Sequence, residues 1–599
     1  MVVNIRGNRA LPCRRPELGN KSRSVLIAFA NLHKRIPIGT GLATSFPSGY
    51  SFAQFRSDLQ AGITVGIVAI PLAMALAIAS GAPPEFGLYT SIVAGAVIAF
   101  TGGSPVNVSG PTAAFVIILL PVSHQFGMGG LLTAGILAGI ILLLMGVFRL
   151  GRLIRYIPYP ITTGFTAGIA IVLAILQLKD FLGLEVQFSS GHFLGQFTAI
   201  LSATPTLHVN DLIVGLVTFT ILWSWPFLRS RIPGHLVALA VASVAVWGTG
   251  LWFPEFHVAT IGSRYEYIND GVISNNFGFI WPWNLPNAEG TPAGLSLDII
   301  HLLLPAAFTI AMLGAIESLM CAVVADGMAG TRHNPDGELI GQGLGNIIAP
   351  FFSAIPATAA IARTATNIRT GGRTPISAVI HSIVIFLIVL AFSNLLAYVP
   401  MASLAALLML VAWNMSDARE FIHIIRISPR SDVAVLLTCF FFTVIFDMVV
   451  AVGVGLVLAA LLFIHRMAEL TETELLDHRE HNHLNGLPDH IAVYDIDGPL
   501  FFGAADKAIS ALHHYQRTVK VIILDMTDVP MIDITGMIAL RELVKSLQKD
   551  GIMVVFANLS SRIKQKLERA GITPAPDRLA YCSNMQEARA IALAIKIPE

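Results

Sequence analysis

From Leu59 to His465 the chain alternates long apolar runs with short polar breaks, and beyond that the pattern changes character. The apolar stretch accommodates about fourteen membrane spans at roughly 20 residues each, with a few short ones. It falls into two blocks, about Leu59–Trp252 and Leu297–Ile464. Between them lies a polar, aromatic interlude, Phe253–Ser296, with Tyr265, Tyr267, Asn275, Asn276, Trp281 and Trp283. It carries few Lys or Arg, as expected of an external loop with interfacial aromatics. About seven spans per block is an odd number, so the second block inserts upside down relative to the first, an inverted repeat.

A near-duplicate pentapeptide marks the two blocks: Gly110-Pro111-Thr112-Ala113-Ala114 and Pro356-Ala357-Thr358-Ala359-Ala360. A proline before a small-residue run is a helix start signal, because proline lacks an N–H that the first turn cannot use anyway. The pattern therefore predicts two short half-helices opening at Pro111 and Pro356. Interrupted apolar segments at corresponding positions of two halves point to a transporter's binding site. Aimed head to head, such helices offer free N–H groups and positive dipole ends to an anion. Thr112 and Thr358 stand at the expected starts, where a hydroxyl either caps the helix or touches a ligand. Small-xxx-small spacings (Gly62/Gly66, Gly135/Gly139, Gly164/Gly168, Gly341/Gly345) predict close helix packing.

After Ile464 the residues from His465 to Pro488 are charged and His-rich, a linker pattern. From Asp489 strand-like runs (Ile491–Asp497, Val521–Asp525, Ile552–Phe556) alternate with helical ones (Gly536–Leu547, Ser561–Ala570), a soluble α/β domain of about 110 residues. The predicted organisation is a basic amino-terminal segment (1–57), a membrane domain (58–467), a linker (468–488) and the α/β domain (489–599).

Composition supports a polytopic helical membrane protein. Of 599 residues, 54% are hydrophobic and 13% charged, with a mean hydropathy of +0.71, far from an ordinary globular domain. A formal net charge of +1 leaves no nucleic-acid footprint. Cys13, Cys321, Cys439 and Cys582 are scattered, with neither disulfide nor metal spacing. Arg6, Arg9, Arg14, Arg15, Lys21 and Arg23 precede the first span without an apolar core and cleavage site. They favour a cytoplasmic amino terminus, and an even span count returns the α/β domain to the same side.

Ionisable groups within apolar segments are the candidates for chemistry. Glu317, with nothing basic within several residues, is a candidate proton carrier; the competing reading is a carboxylate bonded to a neighbouring helix for packing alone. Arg363, one turn into the second half-helix, balances an anion or pairs with Glu317, or else is purely structural. His301 and His381 fit hydrogen-bonded structural histidines better than proton relays. Asp447 fits a turn between spans, and Gln177, Lys179 and Asp180 fit an interfacial helix end. His478, His481 and His483 read as solvated linker, so no metal is expected. No phosphate-binding loop points to ATP-driven pumping, no nucleophile–base pair points to an enzyme, and no cofactor is implied. Asn107-Val108-Ser109 fits a glycosylation acceptor but lies at the foot of a half-helix.

Several motifs in order resemble the SulP (SLC26) anion transporter family: Pro71–Ala77, Gly81–Tyr89, Ser109–Thr112, Thr163–Gly168, Glu338–Asn346, and Arg363 with Gly371 and Gly372. The tail resembles a STAS domain. Within that family the chain looks closest to bacterial proton-coupled carriers of C4-dicarboxylates such as succinate, fumarate and aspartate. The resemblance implies fourteen spans in a seven-plus-seven inverted repeat, split into core and gate domains, in a homodimer of the inner membrane. It implies an anion pocket lined by Leu72, Leu76, Thr112, Ala113, Thr358, Ala360, Ala362 and Arg363, with Glu317 as the coupling group. Leu72 and Leu76 stand where many members carry Gln and an aromatic, a more apolar wall that suits a carbon-bearing carboxylate. Asp533-Ile534-Thr535-Gly536 matches the turn phosphorylated in stand-alone STAS proteins, although a helix N-cap is the better account of Thr535.

An anion entering an inside-negative cell climbs about 2.3 kcal/mol per charge per 100 mV. A dianion needs two accompanying positive charges to avoid that work, and Glu317 supplies at most one. The expectation is proton-coupled C4-dicarboxylate uptake. Sulfate or bicarbonate transport, coupled to H⁺ or Na⁺, and an anion sensor signalling through the STAS domain to a protein partner are the alternatives.

Overall fold

The computed structural model describes residues 37–46, 49–186, 193–228, 233–253, 255–265, 277–446, 448–469, 472–475, 487–501 and 518–595. The basic run before residue 24, Asp447 and the linker histidines lie outside them. The chain divides into two compact units, Met1–Leu456 and Val457–Glu599.

In the first unit, ten described helices are long and apolar enough to cross a membrane, one of them reaching past its boundary. The first half holds α1 (Phe52–Ala79), α2 (Pro84–Thr101), strand β1 (Ser109–Gly110), α3 (Ala113–Val147), α4 (Tyr159–Phe181), α5 (Val209–Ser224) and α6 (Gly234–Trp252). The second holds α7 (Leu297–Ala329), α8 (Pro335–Ile348), strand β2 (Thr358–Ala359), α9 (Ile361–Arg369), α10 (Pro375–Leu396), α11 (Met401–Ser416), α12 (Arg430–Ile445) and α13 (Met448–Glu469). α3 is two segments, broken at Gly127, whose φ of 66° lies in the left-handed region. A Cβ there would overlap the backbone of Asn287, so glycine is required. With that break counted, the described segments named here run in the same order in each half, and in each a two-residue strand feeds a short helix.

Two bundles result. α3 packs on α7 and α8, and α1 on α10; separately, α4 packs on α11 and α12, and α11 on α5. The spaced glycines make these approaches. Added Cβ atoms at Gly62 and Gly66 of α1 would run into Ile380 and Val384 of α10, and at Gly164 and Gly168 of α4 into Leu436 and Thr443 of α12. Backbones meet closely where no side chain intervenes.

The second unit is a five-stranded sheet in the order β3 (Glu472–Leu475), β4 (Ile491–Asp497), β5 (Val521–Asp525), β6 (Met553–Ala557), β7 (Leu579–Tyr581), parallel except for β3. Runs such as Val521-Ile522-Ile523-Leu524 are buried on both faces, as a parallel strand requires. Leu540, Val544 and Leu567, from α14 (Ile534–Lys549) and α15 (Ser561–Arg569), join the core on one face. Ala588 and Ala592, from α16 (Met585–Ala594), join that on the other. The N-cap of α14 is Asp533, whose carboxylate accepts from Gly536 N at 2.8 Å, so Thr535 is not the cap but a half-buried first-turn residue.

Candidate functional site

The two pentapeptides meet, but not as helix ends that begin at proline. Ser109 and Gly110 pair antiparallel with Ala359 and Thr358, and Ala360 N–H donates to Val108 O at 3.0 Å. The chain is therefore extended as far as Thr112 in the first repeat and through Ala360 in the second, and the helices start after the prolines, at Ala113 and Ile361. The proline signal located the segments and missed the strands. A strand pair of this length needs partners from outside its own sequence neighbourhood, and these lie some 250 residues away.

The consequence is a crossing with two helix N-termini running from it. Neither α3 nor α9 has a side-chain cap. Thr112, with extended backbone at the N-cap of α3, sends its hydroxyl instead to Glu317 Oε2 at 2.9 Å. Thr358 sends its hydroxyl to Gly314 O at 3.2 Å, one turn before Glu317 on α7. Capping thus explains neither threonine. The first-turn amides remain available, with the partial positive charge of each helix end.

Arg363 is 2% exposed and reaches from α9 across to the first half. Its Nη1 donates to Ser91 Oγ at 3.3 Å and its Nη2 to Pro111 O at 3.2 Å. A Cβ on Gly110 would overlap the guanidinium, so the strand must be glycine where the arginine crosses it. No ion pair joins Arg363 to Glu317 or to any other carboxylate among the described residues, against the alternative that the two neutralise each other. Arg363 Nε has no hydrogen-bond partner. A buried cation without a counter-ion costs several kcal/mol, and an arriving anion would remove that cost.

The remaining expected residues lie around this centre unevenly. Leu76 and Ala113 are buried in one apolar cluster with Leu173 of α4 and Leu404 and Leu408 of α11, and Leu72 packs against it. Ala360 is half-buried and Ala362 exposed. His301 is exposed, while His381 is fully buried and neither ring nitrogen has a partner, so the hydrogen-bonded histidine expected there is not found. Asp180 pairs with Arg264. With Lys179, His208 and Asp211 these residues line a cavity of about 870 Å³ at the ends of α4 and α5, away from the crossing.

Sequence reasoning gave no role to a buried polar face of α8. Glu338 is 1% exposed, and its carboxylate accepts from Gly103 N (3.0 Å), Ser104 N (2.9 Å), Asn107 Nδ2 (3.0 Å) and Gln342 Nε2 (3.2 Å). Asn107 is thus buried and committed rather than a glycosylation acceptor. Polar residues four apart in a short apolar helix were the signal that could have found this face.

The sulfate permease family profile matches residues 55–439 and the STAS domain profile residues 486–586. The chain is 39% identical over 528 residues to a putative sulfate transporter, YvdB, of Bacillus subtilis, covering 88% of this chain and 95% of the other. It is 30% identical to the bicarbonate transporter BicA of Picosynechococcus sp., covering 86% and 91%. The murine Slc26a9 anion transporter in its inward-facing state superposes with a TM-score of 0.80 over 98% of this chain and 97% of its own, and at 18% identity shows the fold alone.

Proposed function

We propose, from the premise that this chain belongs to the sulfate permease family and is a multi-pass anion transporter with a STAS domain, that it performs cation-coupled uptake of a small inorganic oxyanion, sulfate in the first instance. The observation that carries the reading is the crossing itself: two helix ends without side-chain caps and the Arg363 guanidinium, which pairs with no carboxylate among the described residues. That combination favours an anion on both dipole and charge grounds. The relatives with printed activities are sulfate and bicarbonate transporters, which favours those anions over the C4-dicarboxylates expected from the sequence.

Glu317 is the coupling group in this reading. Its carboxylate is itself an anion, held by Thr112 beside the start of α3. While ionised it opposes a second anion at the same helix end; protonation removes that charge. Anion and proton then bind together, and the bundle carrying the crossing moves against the α4–α11 bundle to change the side of access. The pocket residues Leu72, Leu76, Ala113, Ala360 and Ala362 form its neutral wall, and Thr358 frames it. Homodimerisation, a cytoplasmic partner for the STAS domain, regulation at Thr535 and the linker at 468–488 belong to the same reading.

Bicarbonate is the second reading, favoured by the BicA relative and by charge: one cation at Glu317 balances a monoanion but only half of a dianion. Uptake into proteoliposomes of labelled sulfate, bicarbonate and succinate, at an acidic and an alkaline external pH, decides among the anions. Sulfate accumulated against its gradient at acidic pH is the expected result. Flux only down the gradient would make the protein a channel, and no flux of any anion would leave the sensor reading.

A further inference from the structure

One face of α8 bonds to β1 and to the residue just before β2. Glu338, Gln342 and Asn346 are spaced by four and so lie in line on the helix; they are 1%, 0% and 1% exposed. Glu338 gathers the approach to β1 through the amides of Gly103 and Ser104 and the side chain of Asn107. One turn on, Gln342 Nε2 donates to Ser109 Oγ at 3.1 Å, on β1 itself, and to Glu338 Oε1. A further turn on, Asn346 clamps the approach to β2 at two points, donating to Ala357 O at 2.8 Å and accepting from Ala357 N at 2.7 Å. From the opposite side Thr364 Oγ1 accepts from Val108 N at 3.0 Å. The strands have only two paired residues each, too few to hold a register unaided.

We infer that Gln342 and Asn346, seated on Glu338, are positioning residues that set anion affinity by fixing where the two strands hold the helix ends. This rests on the transport reading for its functional consequence, and on hydrogen bonds alone for its geometry. A carboxylate with four donors is a rigid anchor, and amide ends favour an ion only where they converge on it. Helix starts that drift apart lose affinity while the motion of the bundles is untouched.

The test uses Gln342→Met, which keeps the side chain's length, and Ser109→Ala, a smaller change at the other end of the same bond. Both are read in the full chain for uptake kinetics and for amide hydrogen exchange over residues 107–114 and 357–362. Each is expected to raise KM about tenfold with Vmax changed by less than about twofold, and the double variant to be no worse than either single one. Faster exchange in both strands accompanies the change. An unaltered KM, a loss confined to Vmax, or additive singles would overturn the inference. Should the wild type carry no tested anion, the transport reading fails and exchange decides alone: deprotection of both strands upholds the frame, and unchanged exchange refutes it.

Discussion

The two crossing segments share a backbone plan and differ in charge. Each runs through an extended pair of residues into an uncapped helix, yet the third residue of α9 is Arg363 where the third of α3 is Phe115, and both are buried. Phe115 packs toward Gly314 on α7. The first half supplies neutral groups: Ser91, the Pro111 carbonyl, the Thr112 hydroxyl. The carboxylates and the guanidinium described around the crossing (Glu317, Glu338, Arg363) come from the second. The repeat supplies the backbone plan in duplicate, and in the proposed reading one copy alone would decide the sign of the cargo and what travels with it. The cradle needs symmetry to present two helix ends, whereas coupling needs only one titratable site.

Arg363→Met tests that division hardest. Loss of a buried charge partner costs about 3–5 kcal/mol, so uptake should fall at least on the order of a hundredfold. The free protein should not suffer, because the guanidinium has no carboxylate partner to strand and Met fills a similar space. An unchanged or raised melting midpoint with lost uptake is the expected pair of results. Retained uptake would show that the helix ends suffice and that the charge asymmetry is incidental. Glu317→Gln comes next: Gln keeps the reach to Thr112 but cannot gain or lose a proton. Acid-stimulated uptake should drop about tenfold to a rate that no longer varies with external pH. A preserved pH dependence would assign coupling to another group.

Much of this was legible in the chain, for identifiable reasons. The apolar runs, the duplicated pentapeptide and the α/β tail are local patterns, and the strands Ile491–Asp497 and Val521–Asp525 occur where the residues place them. The isolated positions of Glu317 and Arg363 marked them as candidates, because an ionisable group amid apolar residues has few other reasons to be there, and the structure sets both beside the crossing. What stayed hidden depended on distant partners. Pro111 and Pro356 signal helix starts by local rules, and only the other half of the molecule turns both segments into strands. The Glu338 face reads locally as an amphipathic stripe, and nothing nearby says that its bonds end on residues 103–109 and 357. The choice left open at Thr112 and the cap expected at Thr535 turn on the same limit: local geometry permits a cap at both, while Glu317 claims one hydroxyl and Asp533 precedes the other as cap.

The smallest expected effect falls on the neutral half. Thr112→Val preserves the shape and β-branching that suit an extended N-cap position and deletes only the donor to Glu317. That hydroxyl stabilises the ionised carboxylate and nothing else in its reach, so its removal acts through coupling rather than through the cradle. Uptake should persist at nearly the wild-type maximum, with the change confined to its dependence on external pH. Uptake lost as completely as in Arg363→Met would mean that Thr112 binds the anion directly. The first half would then share the recognition that the present geometry gives to the second.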